Sequence, residues 1–270
     1  MSKTAFIGAG NMASAIVRGM LNHGVKPSAI ACTSAADGTG EKLASATGIG
    51  VFADFESLLK SDASISTVVL AVKPQQFAQL PASAAELTRG KLIVSILAGM
   101  TIARLAEKFP FAKNIVRAMP NTPGQIGEGI SCFAPKNAIT KDELAVVQSV
   151  LGAMGPVIEV VEKDLDAVTA LSGSGPAYVF AFIEALRDGG IAEGLSPEIA
   201  TRLAMQTVLG SAKLLEQSGE TPEALRIKVT SPKGTTLAAL TVMQEMDFPG
   251  LMKKAIHAAK VRSEELARGV

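Results

Sequence analysis

Short β-branched runs alternate with helical patterns through the first half of this chain, and the alternation stops near Glu162. Near-continuous apolar runs are typical of parallel strands buried on both faces, and such strands need helical crossovers between them. The pattern therefore predicts a Rossmann-like α/β domain over residues 1–161. The predicted strands are Thr4–Gly8, Ala29–Thr33, Val68–Val72, Leu92–Ile96, Ile115–Met119 and Pro156–Val161.

Helical patterns of crossover length separate these strands. Asn, Pro and Thr, which are common at helix starts, stand at their openings. The sequence Thr140-Lys141-Asp142-Glu143 is a capping box, and it predicts a later helix that runs to Met154. The other predicted helices of this domain are Asn11–Asn22, Glu41–Ala46, Pro74–Leu87 and Thr101–Lys108.

From residue 162 to residue 270 only helical periods remain, which predicts an all-α second domain. The chain has no Trp and one Tyr, so these helices have small side chains and a thin core. We therefore expect their remaining apolar faces to be buried against a second copy, in a homodimer or a higher homo-oligomer. The predicted helices are Pro176–Asp188, Pro197–Gln217, Pro222–Lys228, Thr235–Met246 and Leu251–Arg268.

The charge balance points to a small-molecule partner. Lys and Arg number 26 against 25 Asp and Glu, so no field of one sign attracts nucleic acid or an anionic membrane. Cys32 and Cys132 are isolated, and neither a disulfide framework nor a metal site is expected. The N-terminal apolar run is too short for a signal peptide, and no segment is long enough to cross a bilayer. We expect a cytoplasmic protein.

The segment Gly8-Ala9-Gly10-Asn11-Met12-Ala13 follows a predicted strand and opens a predicted helix. In that context a G-x-G-x-x-A pattern predicts a dinucleotide site. Gly8 permits the tight turn, Gly10 lets the backbone approach the pyrophosphate, and Ala13 allows the helix to pack closely on the sheet. Asn11 and Met12 contribute free N–H groups at the helix start. The alternative is a glycine turn that binds nothing.

The end of the second strand bears on which dinucleotide binds. An Asp or Glu at this position binds the adenosine ribose and repels a 2′-phosphate, but the segment from Cys32 to Ala36 has no carboxylate. Hydroxyls and N–H groups of Thr33, Ser34 and Thr39 are available for a phosphate, although no arginine accompanies them. This favours NADPH, with NADH as the alternative cofactor; a solvated turn is the other interpretation of these residues.

Two further strand ends are predicted to meet at the same edge of the sheet, where such folds bind ligands. The first places Lys73 beside the ribose or phosphate of the cofactor, unless it is an ordinary exposed lysine. The second has two prolines that form a rigid wall for the nicotinamide, or simply a stiff connection. The cofactor-binding candidates at these strand ends are Ala71, Val72, Lys73, Pro74, Met119, Pro120 and Asn121.

The second domain contains two loops rich in small residues, each at a helix start. The loop Val229–Thr236 offers the hydroxyls of Ser231, Thr235 and Thr236 and unpaired N–H groups, which together suit a carboxylate of low charge. An ordinary N-cap uses the same residue types. The segment Leu171–Tyr178 favours close packing of helices, with or without a ligand contact.

Five motifs along the sequence together resemble the pyrroline-5-carboxylate reductase family, and they cover essentially the whole chain. The resemblance implies reduction of 1-pyrroline-5-carboxylate to L-proline with NADPH or NADH, the last step of proline biosynthesis. It also implies that Ser231, Gly234, Thr235 and Thr236 bind the substrate, with Thr236 near the imine nitrogen as the catalytic candidate. The family usually has glycine where Lys233 stands. The motifs are Phe6–Ala13, Ala71–Gln75, Met119–Pro123, Leu171–Tyr178 and Val229–Thr236.

The expected chemistry needs neither a histidine nor a metal. A ring imine is readily protonated, and the resulting iminium accepts hydride once it is positioned and buried. His23 and His257 lie outside the motifs, and Glu128, Glu184 and Glu193 form no pair or metal-ligand pattern.

Two rival functions remain open from the sequence. One is a reductase of the β-hydroxyacid dehydrogenase kind, for which Lys213 is the candidate base, although no partner asparagine is near it in sequence. The other is a non-catalytic cofactor sensor, which only the departure at Lys233 supports.

Overall fold

The computed structural model describes residues 3–34 and 37–268, and the chain forms two compact units. The sheet unit contains the chain up to Ser174 together with the end of the last helix from Ala259 onward. The helical unit spans Gly175–Ala258. The domain division after residue 161 stays a prediction, since the compact units separate at Ser174 and the last helix contributes to both.

One 8-stranded sheet runs through the sheet unit in the order β3-β2-β1-β4-β5-β6-β7-β8. All neighbouring strands are parallel except β6 and β7, which are antiparallel. The predicted α/β fold class is confirmed. The strands are β1 Lys3–Ile7, β2 Ile30–Thr33, β3 Gly50–Phe52, β4 Ile65–Leu70, β5 Leu92–Ser95, β6 Asn114–Met119, β7 Ser131–Pro135 and β8 Val157–Glu159.

Helices cover both faces of the sheet, and each face has its own aliphatic core. Phe6 packs with Ile16 and Val147 on one face, whereas Ile7 packs with Leu105 on the other. This alternation along β1 is the two-residue period of a strand buried on both sides. The helices are α1 Asn11–Asn22, α2 Thr39–Thr47, α3 Phe55–Ser61, α4 Pro74–Phe77, α5 Ala84–Leu87, α6 Ile102–Lys108, α7 Lys141–Leu151 and α8 Leu165–Val168.

The structure corrects the sequence prediction at several elements. The helix predicted over Pro74–Leu87 is wrong: it is two short helices, α4 and α5, because Pro81 lacks an N–H group and disfavours helical backbone before it. β3, β7 and α3 were not predicted. α3 had a usable signal, since Asp54 and Ser57 form a capping box at its start.

The helical unit contains α9 to α12 and the first half of α13. Helices α9 and α10 pack along each other, but the buried residues among its described positions are only Ala200 and Ala204. None of the described helices combines the length and the apolar character that a membrane span needs. The helices are α9 Gly175–Ala192, α10 Pro197–Ser218, α11 Pro222–Lys228, α12 Thr235–Glu245 and α13 Phe248–Arg268.

Candidate functional site

Gly8 joins the ends of three strands at the carboxyl edge of the sheet. Its N–H donates to the Thr33 carbonyl over 2.7 Å, which links the end of β1 to β2. Its φ is +106°, and a Cβ added there would lie 2.5 Å from the Ala71 carbonyl oxygen, just after β4. Only glycine therefore fits this turn.

The start of α1 is open to an anion. Gly10 is its N-cap and offers no side-chain cap, so the N–H groups of the first turn have no capping partner. A Cβ added at Gly10 would meet no protein atom within 4 Å, so its absence keeps space open in front of the helix. Asn11 is exposed, Met12 is half-buried, and Ala13 is packed against the sheet. This arrangement suits a pyrophosphate.

A cavity of about 730 Å³ opens along the same edge. Gly8, Thr33, Ser34 and Val72 contribute to its walls, so three of the predicted segments come together here. Met119, Pro120 and Asn121 are not among its described lining residues. The lining residues that the sequence analysis missed include Asp54, Glu56, Lys60, Gln76 and Gln79.

Lys73 follows β4 and stands at the start of α4. Its backbone N–H donates to the Gln76 side chain over 3.0 Å, which fixes the turn before Pro74. The Lys73 side chain is exposed and makes no ion pair with another described residue. Its charge is therefore available to a ligand at this edge.

The loop after β2 contains a carboxylate that the sequence analysis did not consider. Asp37 Oδ1 accepts hydrogen bonds from the Thr39 N–H over 3.0 Å and from the Thr39 hydroxyl over 2.7 Å. The Ser34 hydroxyl oxygen accepts from the Gly40 N–H over 3.0 Å. Ala35 and Ala36, the rest of the segment considered above, lie outside the described residues.

The pKa shifts of two side chains in this region follow from hydrogen bonding, nearby charge and burial. The hydrogen bonds from Thr39 lower the pKa of Asp37, and the Lys73 charge lowers it further. Burial, assisted by Glu41, raises the pKa of the Cys32 thiol to about 11. Asp37 is therefore ionised at neutral pH, whereas Cys32 is a neutral thiol.

The turn after β6 is packed against the glycine-rich segment before α9. A Cβ added at Gly173 would lie 2.4 Å from the Met119 Cε, so this glycine allows close packing against the end of β6. Pro120 is buried, and the Asn121 side chain accepts from the Ile130 N–H over 2.9 Å. Two of the five motifs thus share one contact inside the sheet unit.

A buried ionic network lies on β6 below this turn, and the sequence analysis missed it. Arg117 is 4% exposed and contacts Glu162 at 3.4 Å and Asp166 at 3.1 Å. Asp166 also accepts from the Ser263 hydroxyl of α13 over 2.8 Å. The available signal was an arginine inside a buried strand, since such a charge requires partners.

The predicted substrate loop lies in the helical unit at the start of α12. Gly234 is its N-cap, and its N–H donates to the Ser231 carbonyl over 3.1 Å. The hydroxyls of Ser231, Thr235 and Thr236 make no hydrogen bond to another described residue. Lys233 has a φ of 60°, a left-handed conformation that glycine adopts more readily than lysine.

Neither histidine lines the cavity at the edge of the sheet. His23 ends α1, where its Nδ1 lies 2.8 Å from the Gly19 carbonyl oxygen, and His257 is exposed on α13. Within residues 3–34 and 37–268, no cluster of three or more His, Cys, Asp or Glu side chains is arranged to hold a metal ion.

Comparison with known proteins decides the family. Residues 162–266 match the family model described as pyrroline-5-carboxylate reductase dimerisation, and residues 3–99 match the one described as NADP oxidoreductase, coenzyme F420-dependent. The chain is 38% identical over 268 residues to the pyrroline-5-carboxylate reductase of Arabidopsis thaliana, with 98% of this chain and 96% of the relative covered. The chain belongs to the pyrroline-5-carboxylate reductase family.

Solved structures of pyrroline-5-carboxylate reductases share this fold. The enzyme from Coxiella burnetii is 34% identical with a TM-score of 0.91, and the match covers 98% of each chain. The Plasmodium falciparum pyrroline carboxylate reductase, solved with NADP bound, is 30% identical with a TM-score of 0.84 and the same coverage. Family membership argues against the β-hydroxyacid dehydrogenase alternative, and Lys213 is an exposed residue of α10.

Proposed function

We propose that this chain reduces 1-pyrroline-5-carboxylate to L-proline with a reduced nicotinamide dinucleotide, as the last step of proline biosynthesis. The observation that carries the proposal is the presence of two uncapped helix starts in a chain that matches its relatives over nearly its full length. One start suits a pyrophosphate, and the other suits a small carboxylate.

The cofactor site is assigned to the carboxyl edge of the sheet. Gly8 and Gly10, with Asn11, Met12 and Ala13 at the start of α1, hold the pyrophosphate. Ser34 lies on the adenosine side, and the segment from Ala71 through Val72 and Lys73 to Pro74 borders the ribose or phosphate. Met119, Pro120 and Asn121 form the wall for the nicotinamide, which supplies hydride when bound.

The substrate site is assigned to the loop of the helical unit. Ser231, Gly234 and Thr235 hold the carboxylate through hydroxyl and N–H donors, and Thr236 lies near the imine nitrogen. The imine nitrogen takes a proton, the ring carbon accepts hydride, and the C=N double bond becomes the C–N single bond of proline. The chain's main contribution is position and exclusion of water.

Two copies of the helical unit are proposed to associate in a homodimer, or in a higher homo-oligomer built from such dimers. Large apolar side chains of α9 and α10 are exposed in one copy, and the matched family model is described as a dimerisation domain. An exposed apolar surface of this kind is typical of an interface. The cytoplasmic location stays a prediction.

One assay tests the proposed activity. Purified protein is mixed with 1-pyrroline-5-carboxylate and either NADPH or NADH, and loss of absorbance at the nicotinamide band is followed together with proline formation. We expect both signals in equal amounts and neither without substrate. Dinucleotide binding without turnover of either cofactor would instead indicate the non-catalytic sensor and reject the enzyme.

A further inference from the structure

Two residues after β2 that could donate to a 2′-phosphate, Thr39 and Gly40, already donate within the described part of the chain. In folds of this kind, the residues about twenty positions after the glycine loop decide between a ribose hydroxyl and a 2′-phosphate. Here the N–H and hydroxyl of Thr39 donate to Asp37, and the N–H of Gly40 donates to Ser34. A phosphate at this position would have to displace the Asp37 carboxylate from the first turn of α2.

Two carboxylates on the cavity wall add to this effect, and the positive charge of Lys73 at this edge already acts on the Asp37 carboxylate. Asp54 and Glu56 lie on the cavity wall, and Lys60 is paired with Glu56 at 2.8 Å. No arginine occurs between Arg18 and Arg89, so no guanidinium is available in these segments for bidentate binding of a phosphate. A second anion beside Asp37 would be repelled by it.

A ribose hydroxyl, by contrast, suits the same position. Both hydrogen bonds from Thr39 use Asp37 Oδ1, so Thr39 does not occupy the second carboxylate oxygen, Oδ2. Thr33 and Ser34 stand beside this loop on the cavity wall. The carboxylate is held in place by Thr39 before any ligand binds, so little ordering is needed.

We propose that Asp37 is a specificity-determining residue that makes this chain use NADH in preference to NADPH. The inference rests on the proposed function and reverses the preference that residues 32–36 favoured. Residues 32–36 lack a carboxylate, but Asp37, the residue that follows them, places one at the start of α2. Asp37 does not take part in hydride transfer; it discriminates between the two cofactors by their 2′ groups.

The test is the ratio of kcat/KM for NADH to that for NADPH in the wild type and in Asp37→Asn. The asparagine keeps an acceptor oxygen for Thr39 and removes the charge, so the hydrogen bonds at the start of α2 are retained. We expect a wild-type ratio above one and a shift towards NADPH by roughly tenfold in Asp37→Asn, the effect of about 1.4 kcal/mol. Glu41→Gln, which removes a carboxylate from the same turn without contacting Thr39, should shift the ratio far less.

Binding measurements separate this proposal from the proposed activity. Kd values for NADH and NADPH, from nicotinamide fluorescence, test Asp37 even in a chain that turns over neither cofactor. A wild type that binds and uses NADPH better than NADH would overturn the proposal. An unchanged preference in Asp37→Asn with an unchanged Tm, or an equal shift in Glu41→Gln, would also overturn it.

Discussion

The two units of this chain bury their apolar side chains to very different extents. The sheet unit has two cores, one on each face of the sheet, with Phe6, Leu70 and Leu105 fully buried. The helical unit leaves Phe180 61% exposed and Leu203 54% exposed, and buries only two alanines among its described residues. The sheet unit is thus specified by its own contacts, whereas we infer from these exposed side chains that the helical unit requires a partner surface.

The largest expected effect tests that requirement directly. In Leu203→Lys, each copy places a charge in the proposed interface, where burial costs several kcal/mol. We expect the dimer Kd to rise by roughly a thousandfold, equivalent to about 4 kcal/mol. Sedimentation velocity over a concentration series measures it. Val51→Lys, at an exposed apolar position of the sheet unit, is the control. An equal change of the dimer Kd in both variants would contradict the difference between the two units.

The next effect concerns the tight interior of the sheet unit. Gly8→Ala combines a left-handed φ with a clash against Ala71, and we expect the free energy of unfolding to fall by about 3 kcal/mol. Gly10→Ala meets open space and should change it by less than about 0.5 kcal/mol while weakening dinucleotide binding. Guanidinium denaturation, followed by circular dichroism, measures the free energy of unfolding of both variants. Equal stability of the two variants would contradict the role given to Gly8.

A smaller effect is expected at the substrate loop of the helical unit. Thr236→Ala removes a hydroxyl that has no described partner within the chain, and we expect kcat/KM for 1-pyrroline-5-carboxylate to fall by roughly tenfold to a hundredfold. The Kd for the dinucleotide should stay unchanged. Thr236→Ser, which restores the hydroxyl, should recover most of the rate. Full activity in Thr236→Ala would remove this residue from the site.

The smallest effect tests local backbone conformation where packing is sparse. Lys233→Gly relieves a left-handed conformation but gains freedom in the unfolded chain, so we expect a net stabilisation of about 0.5 kcal/mol. Asp247, at a φ of 50°, is the matched control: its side chain accepts from the Gly250 N–H over 3.1 Å, and Asp247→Gly should lose stability. Thermal unfolding distinguishes them, and a gain in both would show that the Asp247 side chain contributes nothing.

The sequence predicted what depends on local periodicity and capping. The bounds of α1 and α11 agree with the structure residue for residue, and the capping box at Thr140 starts α7 as expected. It missed β3 because three residues are too few to show a period. The antiparallel β7 was missed because Ser131–Pro135 contains no β-branched residue and ends in proline.

The candidate site likewise contains some residues that the sequence predicts and others that only the structure reveals. Gly8 and Gly10 follow from a motif whose spacing carries the geometry, so the sequence suffices for them. Asp37 required the structure, because its effect depends on how its side chain turns back onto Thr39. Arg117 required it too, since its partners are distant in sequence.

The contact between Ser263 and Asp166 has a consequence for synthesis on the ribosome. Domains generally fold as they emerge, from the N-terminus onward. Here the carboxylates that pair with Arg117 emerge well before Ser263, which follows Asp166 by 97 residues. Asp166 therefore lacks its hydrogen bond from Ser263 until those residues have also been synthesised.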